Sequence, residues 1–219
     1  MKRVLIFLFT VISTSIAVGQ GSLGQSDPDA KKILDAVSAK FKTFKSVQAT
    51  FTLKNEDSKG AVLGTKKGTV SMKGNKYRVS ITGQEIFCDA ANIWTFDKAA
   101  NEVTITKLDP SGGSITPQKL FTNFYDKDFL YKSNGEKKVG ARVIQEIEMT
   151  PVDKTKQFHK VYLSIDKLAK TIYSTKVLDK SGNIYTYTVN TLNGKANLTD
   201  AVFVFDKTKY PGVEEIDLR

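Results

Sequence analysis

Apolar and polar residues alternate with a period of two through most of the chain, and this pattern constrains the fold more than any other feature. From Val47 onward, Val47, Ala49 and Phe51 alternate with Gln48 and Thr50, and similar runs recur to about residue 206 between short turns. The series predicts about eleven antiparallel strands. A sheet with that many consecutive strands must curl, because twist accumulates between neighbours and a flat sheet leaves long edges exposed.

Turn residues divide this region into individual strands. Tyr210 to Val213 is expected to form an extended tail, because Pro211 cannot donate to a ladder. The predicted strands lie near residues 47–53, 63–73, 76–82, 84–89, 92–97, 102–108, 129–133, 141–149, 158–165, 171–179, 184–192 and 202–206.

Two segments have helical spacing instead. Asp27 and Pro28 are typical of a helix start, and a helix is predicted over about 28–45. A second short helix is predicted from Thr116 and Pro117, after a Gly-rich loop at 109–113. Each helix has one apolar face, so both are expected to cover the hollow side of the curled sheet, with the insertion at 109–130 acting as a lid. The predicted fold class is therefore α+β, an incomplete antiparallel β-barrel closed by helices around a hydrophobic cavity.

The start of the chain resembles a secretory signal peptide. Lys2 and Arg3 precede an apolar stretch that is too short for a confident membrane span, and Ala17 and Gly19 favour cleavage before Gln20. No cysteine lies near that point to carry a lipid anchor. The predicted division is a signal peptide at 1–19, a flexible leader at 20–26 and a single domain at 27–219, which places the mature protein in the periplasm.

Composition argues against most enzyme classes. The 219 residues include one Cys and one His, which excludes intrachain disulfides, thiolate-rich zinc sites and His clusters. His159 begins a strand, and no Gly-x-Ser-x-Gly elbow accompanies it; Cys88 lies in an apolar strand and is expected to be buried and inert. Phosphate loops, Rossmann glycines and EF-hand loops are absent. We therefore expect no enzymatic activity, no metal and no cofactor.

The net charge of +10 comes almost entirely from lysines that are spread along the chain. A nucleic-acid surface usually concentrates its positive charge and combines arginine with aromatic residues. We therefore expect no nucleic-acid partner. A solvated lysine-rich exterior is the simpler interpretation, and transient attraction to anionic membrane surfaces or acidic partners is the alternative.

The remaining feature is an excess of aromatic and aliphatic residues that would face the hollow. Any one of them could be ordinary core packing, but a curved sheet capped by short helices is hard to fill completely and can hold an apolar ligand. The candidate lipid-contacting residues are Ile33, Val37, Phe41, Phe44, Phe51, Tyr77, Val79, Trp94, Phe96, Leu120, Phe121 and Phe124.

Taken in order, these elements resemble the bacterial outer-membrane lipoprotein carrier family, LolA, over almost the whole mature chain. Residues 33–51 are similar to its first helix and strand, and residues 68–79 to its next hairpin. Residues 88–97 are similar to its hairpin of pattern D-G-x-x-hydrophobic-W-x-Y-x-P, with Ala for Gly and Phe for Tyr. Residues 179–183 and 203–214 are similar to its late D-x-x-G turn and its F-x-F-x-x-P-x-G-V ending.

The resemblance implies a barrel whose cavity receives lipoprotein acyl chains. It also implies a monomeric periplasmic carrier between an inner-membrane, ATP-driven release complex and an outer-membrane acceptor, without a cofactor. Family members often have an Arg-Pro pair in the hairpin after the second strand, and its arginine helps to hold the lid shut. This chain has residues 73–76, Lys-Gly-Asn-Lys, at that position and no arginine before Arg78.

Two other functions fit the same architecture. A periplasmic sensor or scaffold could use the cavity to detect lipid or lipoprotein without transport, although signalling versions of this fold usually carry a second domain. An enzyme built on this fold is the third possibility. Co-purification with a lipoprotein favours a carrier over both.

Overall fold

One twelve-stranded sheet forms most of the molecule in the computed structural model, which describes residues 26–109 and 125–219. The strand order across the sheet is β12-β6-β5-β4-β3-β2-β1-β11-β10-β9-β8-β7, so the sheet is open, with β12 and β7 at its ends. The strands are β1 Val47–Glu56, β2 Val62–Lys73, β3 Lys76–Ile81, β4 Gln84–Cys88, β5 Asn92–Asp97, β6 Glu102–Lys107, β7 Phe129–Val139, β8 Arg142–Pro151, β9 Phe158–Asp166, β10 Thr171–Asp179, β11 Ile184–Asn193 and β12 Glu214–Asp217.

Two antiparallel meanders, β1 to β6 and β7 to β11, make up this sheet. They join where β1 pairs with β11, more than 130 residues later in the chain. Only the short β12 pairs in parallel, with β6. The open, almost wholly antiparallel sheet confirms the predicted incomplete barrel.

Helix α1, Pro28–Lys42, is the longest described helix. Asp27 caps it by accepting a hydrogen bond from the backbone N–H of Asp29, and the helix ends at Lys42, with Thr43 as its C-cap, three residues before the expected end at 45. Asp27 also joins the helix start to β7, because its N–H donates to the carbonyl of Tyr131 (2.9 Å) and its carboxylate accepts from the N–H of Ser133 (3.0 Å). No described helix is long and apolar enough to cross a membrane.

In the chain, β6 is followed by β7, which lies at the other side of the sheet from β6 and β12. The predicted second helix from Thr116, with Leu120, Phe121 and Phe124, lies outside the described residues. The described chain resumes with the short helix α2, Tyr125–Asp128, which leads directly into β7.

Three apolar clusters stabilise the sheet, two beside α1 and one on the opposite face. The helix cluster joins α1 to β7–β10 through Ala30, Leu34, Val37, Tyr125, Phe129, Tyr131, Ile147, Met149, Val161, Leu163, Ile165 and Ile172. The base cluster joins the end of α1, through Phe41 and Phe44, to Val47, Met72, Tyr77 and Cys88. The outer cluster comprises Phe87, Phe96, Val103, Phe205 and Val213, with Trp94 and Tyr210 packed against it.

The end of the chain differs from the sequence prediction. Residues 202–206 were expected to form a strand, but Asp200–Phe203 is a 3₁₀-helix. Phe203 is fully buried, and Phe205 stacks on Tyr210 in the outer cluster. Their alternating burial imitates a strand, although the segment packs against the sheet face rather than in a ladder. The chain then pairs again as β12 beyond Pro211, so the described sheet has twelve strands, with β12 in place of the expected strand at 202–206.

A buried carboxylate, Glu85, forms ion pairs within the sheet and a hydrogen bond to this terminal segment. The Glu85 carboxylate is 2.6 Å from Arg78 Nη2 and 2.7 Å from Lys98 Nζ, and it accepts a hydrogen bond from the Tyr210 hydroxyl. Burial raises the pKa of Glu85, but the hydrogen bonds from Lys98 and Arg78 outweigh it, and the pKa lies below its usual range.

Glycine at position 68 leaves room for the ring of Phe51 on the neighbouring strand. A Cβ at Gly68 would lie 2.4 Å from Cζ of Phe51 and 2.8 Å from the carbonyl oxygen of Ser80, closer than real Cβ contacts. We predict that Gly68→Ala lowers the free energy of unfolding in urea by about 1–3 kcal/mol. Gly64→Ala on the same strand is the control, since nothing lies within 4 Å of its added Cβ. An equal loss in both variants would contradict the packing at Gly68.

Glu85 makes the stability of the fold depend on pH. Its folded pKa is below the unfolded value near 4.5, so the stabilisation is present above that pH and is lost as pH falls through the folded pKa. We predict that Glu85→Gln lowers the free energy of unfolding by about 1–3 kcal/mol at about pH 6. The variant should also lose less stability than the wild type on acidification to about pH 3. The exposed Glu214→Gln is the control, and identical acid profiles for Glu85→Gln and wild type would refute this role.

Candidate functional site

The inner face of the sheet, which α1 covers in part, carries the candidate site. Successive side chains of a strand point to opposite faces, so Phe51 and Leu53 lie on the same face of β1 as Val47 of the base cluster. The pairing register extends this face to neighbouring strands, because Leu53 is opposite Tyr187 and Gly68 is opposite Ile81. The open inner patch is defined as Phe51, Leu53, Ile81, Tyr185, Tyr187 and Val189.

The open inner patch lies beyond the clusters that α1 forms with the sheet. Among the described residues, neither the helix cluster nor the base cluster includes Leu53, Ile81 or Tyr187. Phe51 is mostly buried, while the other five residues of the patch are partly exposed. The rings of Phe51 and Tyr187 are 6.1 Å apart, within range of aromatic contact. The patch is therefore a contiguous apolar surface that α1 leaves uncovered.

Tyr187 is partly enclosed within this patch. Desolvation raises the pKa of its hydroxyl, with a smaller contribution from Tyr185. The residue nevertheless keeps 39% of its surface exposed. Its ring is therefore open to solvent on part of its surface, and accessible aromatic side chains of this kind are common in the linings of ligand sites.

A groove beside the end of α1 adjoins this patch. Its volume is about 440 Å³, and Phe44, Ile172, Val189 and Leu192 are among its lining residues. Val189 belongs to both the groove and the open inner patch. A smaller hollow of about 160 Å³ lies along α1 between Ile33 and Ile165. The space between helix and sheet is therefore only partly filled by side chains.

Polar contacts fix the other end of α1. The Tyr125 hydroxyl donates to Asp35 Oδ1 at 2.7 Å, and Lys31 forms ion pairs with both Asp35 and Asp126. The hydrogen bond from Tyr125 keeps the pKa of Asp35 below its usual value, despite partial desolvation. These contacts tie α1 to α2, the element in which the described chain resumes.

Of the nine described residues predicted as lipid contacts, six lie between α1 and the inner face, and Phe51 lies on the same face beyond α1. Ile33 and Val37 belong to the helix cluster or pack against it, and Phe51 belongs to the open inner patch. The base cluster includes Tyr77 and has Phe41, Phe44 and Val79 packed against it. Leu120, Phe121 and Phe124 lie outside the described residues.

Trp94 and Phe96 occupy the opposite face. Phe96 is 4.5 Å from Tyr210 between ring centroids, and Trp94 packs against the same outer cluster, while their strand neighbour Ile93 packs against the base cluster. Both faces of β5 are covered, one by α1 and the other by the end of the chain. Alternation alone cannot tell which covered face holds the larger aromatic residues.

Leu53, Ile81, Tyr185, Tyr187 and Val189 were not predicted as site residues. A signal was present, because Leu53 continues the alternation of Phe51, and Tyr185 and Tyr187 alternate with threonines. The missing information was the pairing of β1 with β11, which brings these residues together from distant parts of the chain.

Arg78 does not take the place of the lid arginine of the resembled family. Its guanidinium lies 4.6 Å from the ring centroid of Phe87 and pairs with Glu85, so it is part of the outer face. Lys73 and Lys76, at the position of the expected Arg-Pro pair, both bind Asp200 beside the terminal segment. The basic residues of this hairpin hold the chain terminus rather than α1.

Cys88 and His159, the two residues considered for catalysis, lie on strands β4 and β9. Cys88 is fully buried in the base cluster, and burial raises the pKa of its thiol. His159 is exposed on β9. Within residues 26–109 and 125–219, no three His, Cys, Asp or Glu side chains come together as a metal site.

Comparison with known proteins gives relatives of one kind. The chain is 29% identical over 173 residues to an outer-membrane lipoprotein carrier protein from Cupriavidus necator, covering 75% of this chain and 79% of the relative. A relative of the same name from Ralstonia nicotianae is 30% identical over 123 residues, covering 56% of this chain and 54% of the relative.

Two solved structures show the same fold. An uncharacterized conserved protein from Thermus thermophilus superposes with a TM-score of 0.58 at 14% identity, covering 86% of this chain and 99% of that one. Lipoprotein LppX from Mycobacterium tuberculosis superposes with a TM-score of 0.50 at 15% identity, covering 80% and 100%.

The family model described as "Outer membrane lipoprotein carrier protein LolA" matches residues 42–206, well over half of the chain. The match extends from the end of α1 to just beyond Phe205 of the outer cluster, and so includes every strand of the open inner patch. The chain therefore belongs to the LolA family.

Proposed function

We propose that this protein is a periplasmic carrier that binds the acyl chains of lipoproteins and moves them from the inner to the outer membrane. The observation that carries the proposal is the open inner patch, an accessible apolar surface on the concave face of the sheet. Membership of the LolA family and the names of the curated relatives support it. The proposed protein is a monomer of one domain, residues 27–219, after removal of a signal peptide at 1–19.

The energetics of transfer explain why such a surface is needed. Each buried methylene contributes about 0.8 kcal/mol, so three acyl chains of roughly sixteen carbons hold a lipoprotein in a bilayer by tens of kcal/mol. Spontaneous passage through water is therefore negligible. A carrier must replace a large part of that burial within its own structure.

Release of the lipoprotein requires that the carrier bury its acyl chains less completely than the bilayer does. The open inner patch is suited to that, because Tyr185 and Tyr187 add hydroxyl groups to an otherwise apolar surface and Ile81 is only partly buried. An acyl chain on this surface gains contacts but keeps an open side. The donor is proposed to be an inner-membrane release complex and the acceptor an outer-membrane receptor, with only transient contact with membrane surfaces. The proposed cycle uses no cofactor and no catalytic residue.

Substitution within the patch should weaken acyl binding. We predict that Leu53→Asp lowers the affinity for a fluorescent palmitoyl lipopeptide by roughly ten- to hundredfold. The substitution removes the apolar contact of a leucine side chain, which contributes about 1.5–3 kcal/mol, and puts a charge in its place. Leu168→Asp is the matched control, since Leu168 is 94% exposed in the turn between β9 and β10. Tyr187→Ser provides a milder second variant if Leu53→Asp fails to fold.

Fluorescence anisotropy gives the affinities, and a vesicle-to-vesicle assay gives the transfer rates. Equal affinity for Leu53→Asp, Tyr187→Ser and Leu168→Asp would contradict binding at the patch. Tight binding without any delivery to acceptor vesicles would contradict the carrier role and support a sensor or scaffold.

The lid prediction has its own test. If Phe121 and Phe124 fill the empty cavity and give way to acyl chains, Phe121→Asp should change lipopeptide retention by severalfold. Unchanged retention in the same anisotropy assay would contradict this role for Phe121.

A further inference from the structure

Strand β2 extends well past its neighbour β3. β2 has twelve residues and β3 has six, and their pairing ends where Gly68 is opposite Ile81. Residues 62–67 therefore pair with β1 on one side and with no described strand on the other. These six residues are named the free edge.

The free edge is accessible along its whole length. All six residues are exposed, and Val62 and Leu63 each keep 59% of their surface accessible. In an antiparallel ladder every second residue directs its N–H and C=O away from a given neighbour. About half of the backbone groups of the free edge therefore point to its open side, where an extended segment could bond to them.

The other two edges of the sheet are protected. β12 has only four residues, three of them acidic, and β7 has a bulge between Ser133 and Glu136. Asp27 occupies the open side of β7 through its bonds to Tyr131 and Ser133. Short length, bulges and caps are the usual ways to block unwanted strand addition. The free edge has a bulge at its start, where Leu63 lies between the pairs Asn55–Gly64 and Glu56–Val62, and it carries Lys66 and Lys67; residues 64–67 pair regularly with β1 and leave their other side open.

Positive charge surrounds the free edge. Lys59 in the preceding turn and Lys66 and Lys67 at the far end are all exposed, and none takes part in an ion pair with another described residue. The acids that precede the free edge in the chain have other partners. Asp57 accepts hydrogen bonds from two backbone N–H groups of its own turn, and Glu56 forms an ion pair with Lys54. The free edge therefore favours an acidic partner.

A groove begins where β3 ends. It has a volume of about 740 Å³, and its lining includes Lys67, Thr82 and Lys98 together with Phe51 and Ile81, which also belong to the open inner patch. Lys98 already contacts the buried Glu85, whereas Lys67 leaves its charge available to a ligand. A segment added along the free edge would reach this groove at its inner end.

We propose that the free edge binds an extended acidic segment of a partner protein, which adds to the sheet beside β2 in line with β3. The added strand bonds to the backbone of residues 62–67, places apolar side chains against Val62 and Leu63, and directs a carboxylate towards Lys67 in the groove. A second copy of this chain fits poorly, because residues 62–67 contain no acidic residue, so an antiparallel pair of two free edges would place Lys66 and Lys67 opposite Leu63 and Val62 and supply no carboxylate for them. The proposal concerns a strand edge and does not depend on acyl binding at the open inner patch.

Three eight-residue peptides test the proposal on the full-length chain. The first alternates valine and glutamate, the second alternates valine and lysine, and the third is the glutamate peptide with alternate backbone nitrogens methylated. Amide NMR of labelled protein gives both affinity and hydrogen-exchange protection. We expect the glutamate peptide to protect amides within residues 62–67, the lysine peptide to bind at least tenfold more weakly, and the methylated peptide to give no protection.

Charge reversal provides the matched comparison. Lys66→Glu with Lys67→Glu should reverse the preference in favour of the lysine peptide. Lys107→Glu with Lys138→Glu makes the same charge change on β6 and β7, at exposed lysines that form no ion pair with another described residue, and should leave the preference unchanged. The proposal is overturned if millimolar glutamate peptide protects no amide in 62–67, if both peptides bind equally, or if the free edge responds only to anionic vesicles of phosphatidylglycerol.

Discussion

A single helix cannot cover the concave side of a twelve-stranded sheet, and the properties of this protein follow from that mismatch. The 15 residues of α1 make a rod about 22 Å long, whereas twelve strands span about 50 Å along the curve of the sheet. The helix therefore buries one part of the inner face and leaves another accessible. An inner face of this size would otherwise need a second sheet or several helices.

The position of α1 is set by strong local contacts at each end. Asp27, Asp35 and Tyr125 hold its start to β7 and α2, while the ring of Phe44 fits against Gly194, where a Cβ would lie 2.3 Å from that ring. A helix fixed at both ends cannot slide across the face to close the hollow. The outer face is covered separately, by the terminal segment bound through Glu85, so both sides of β4 and β5 are committed to packing.

Local patterns in the sequence predict where the helix and the strands lie, but they do not predict which side of the sheet a residue occupies. Alternation located the ends of β1 to β11 within about three residues, except that β7 continues to Val139 instead of ending at 133, and the Asp27-Pro28 start located α1. Trp94 and Phe96 were assigned to the cavity, yet they face the terminal segment, because the side chosen depends on contacts with residues more than a hundred positions away. Tyr187 was missed for the same reason. The overhang of β2 beyond β3, in contrast, was already implied by the predicted strand lengths.

The central claim is that the uncovered inner face, and not the packed outer face, receives hydrocarbon. The most direct measurement is photo-crosslinking of a diazirine-bearing palmitoyl lipopeptide, followed by peptide mass spectrometry to locate the labelled residues. Labelling concentrated on β1 and β11 at Phe51, Leu53 and Tyr187 is the predicted result. Labelling of Phe96, Phe205 and the rest of the outer cluster, with none on β1 or β11, would contradict the account.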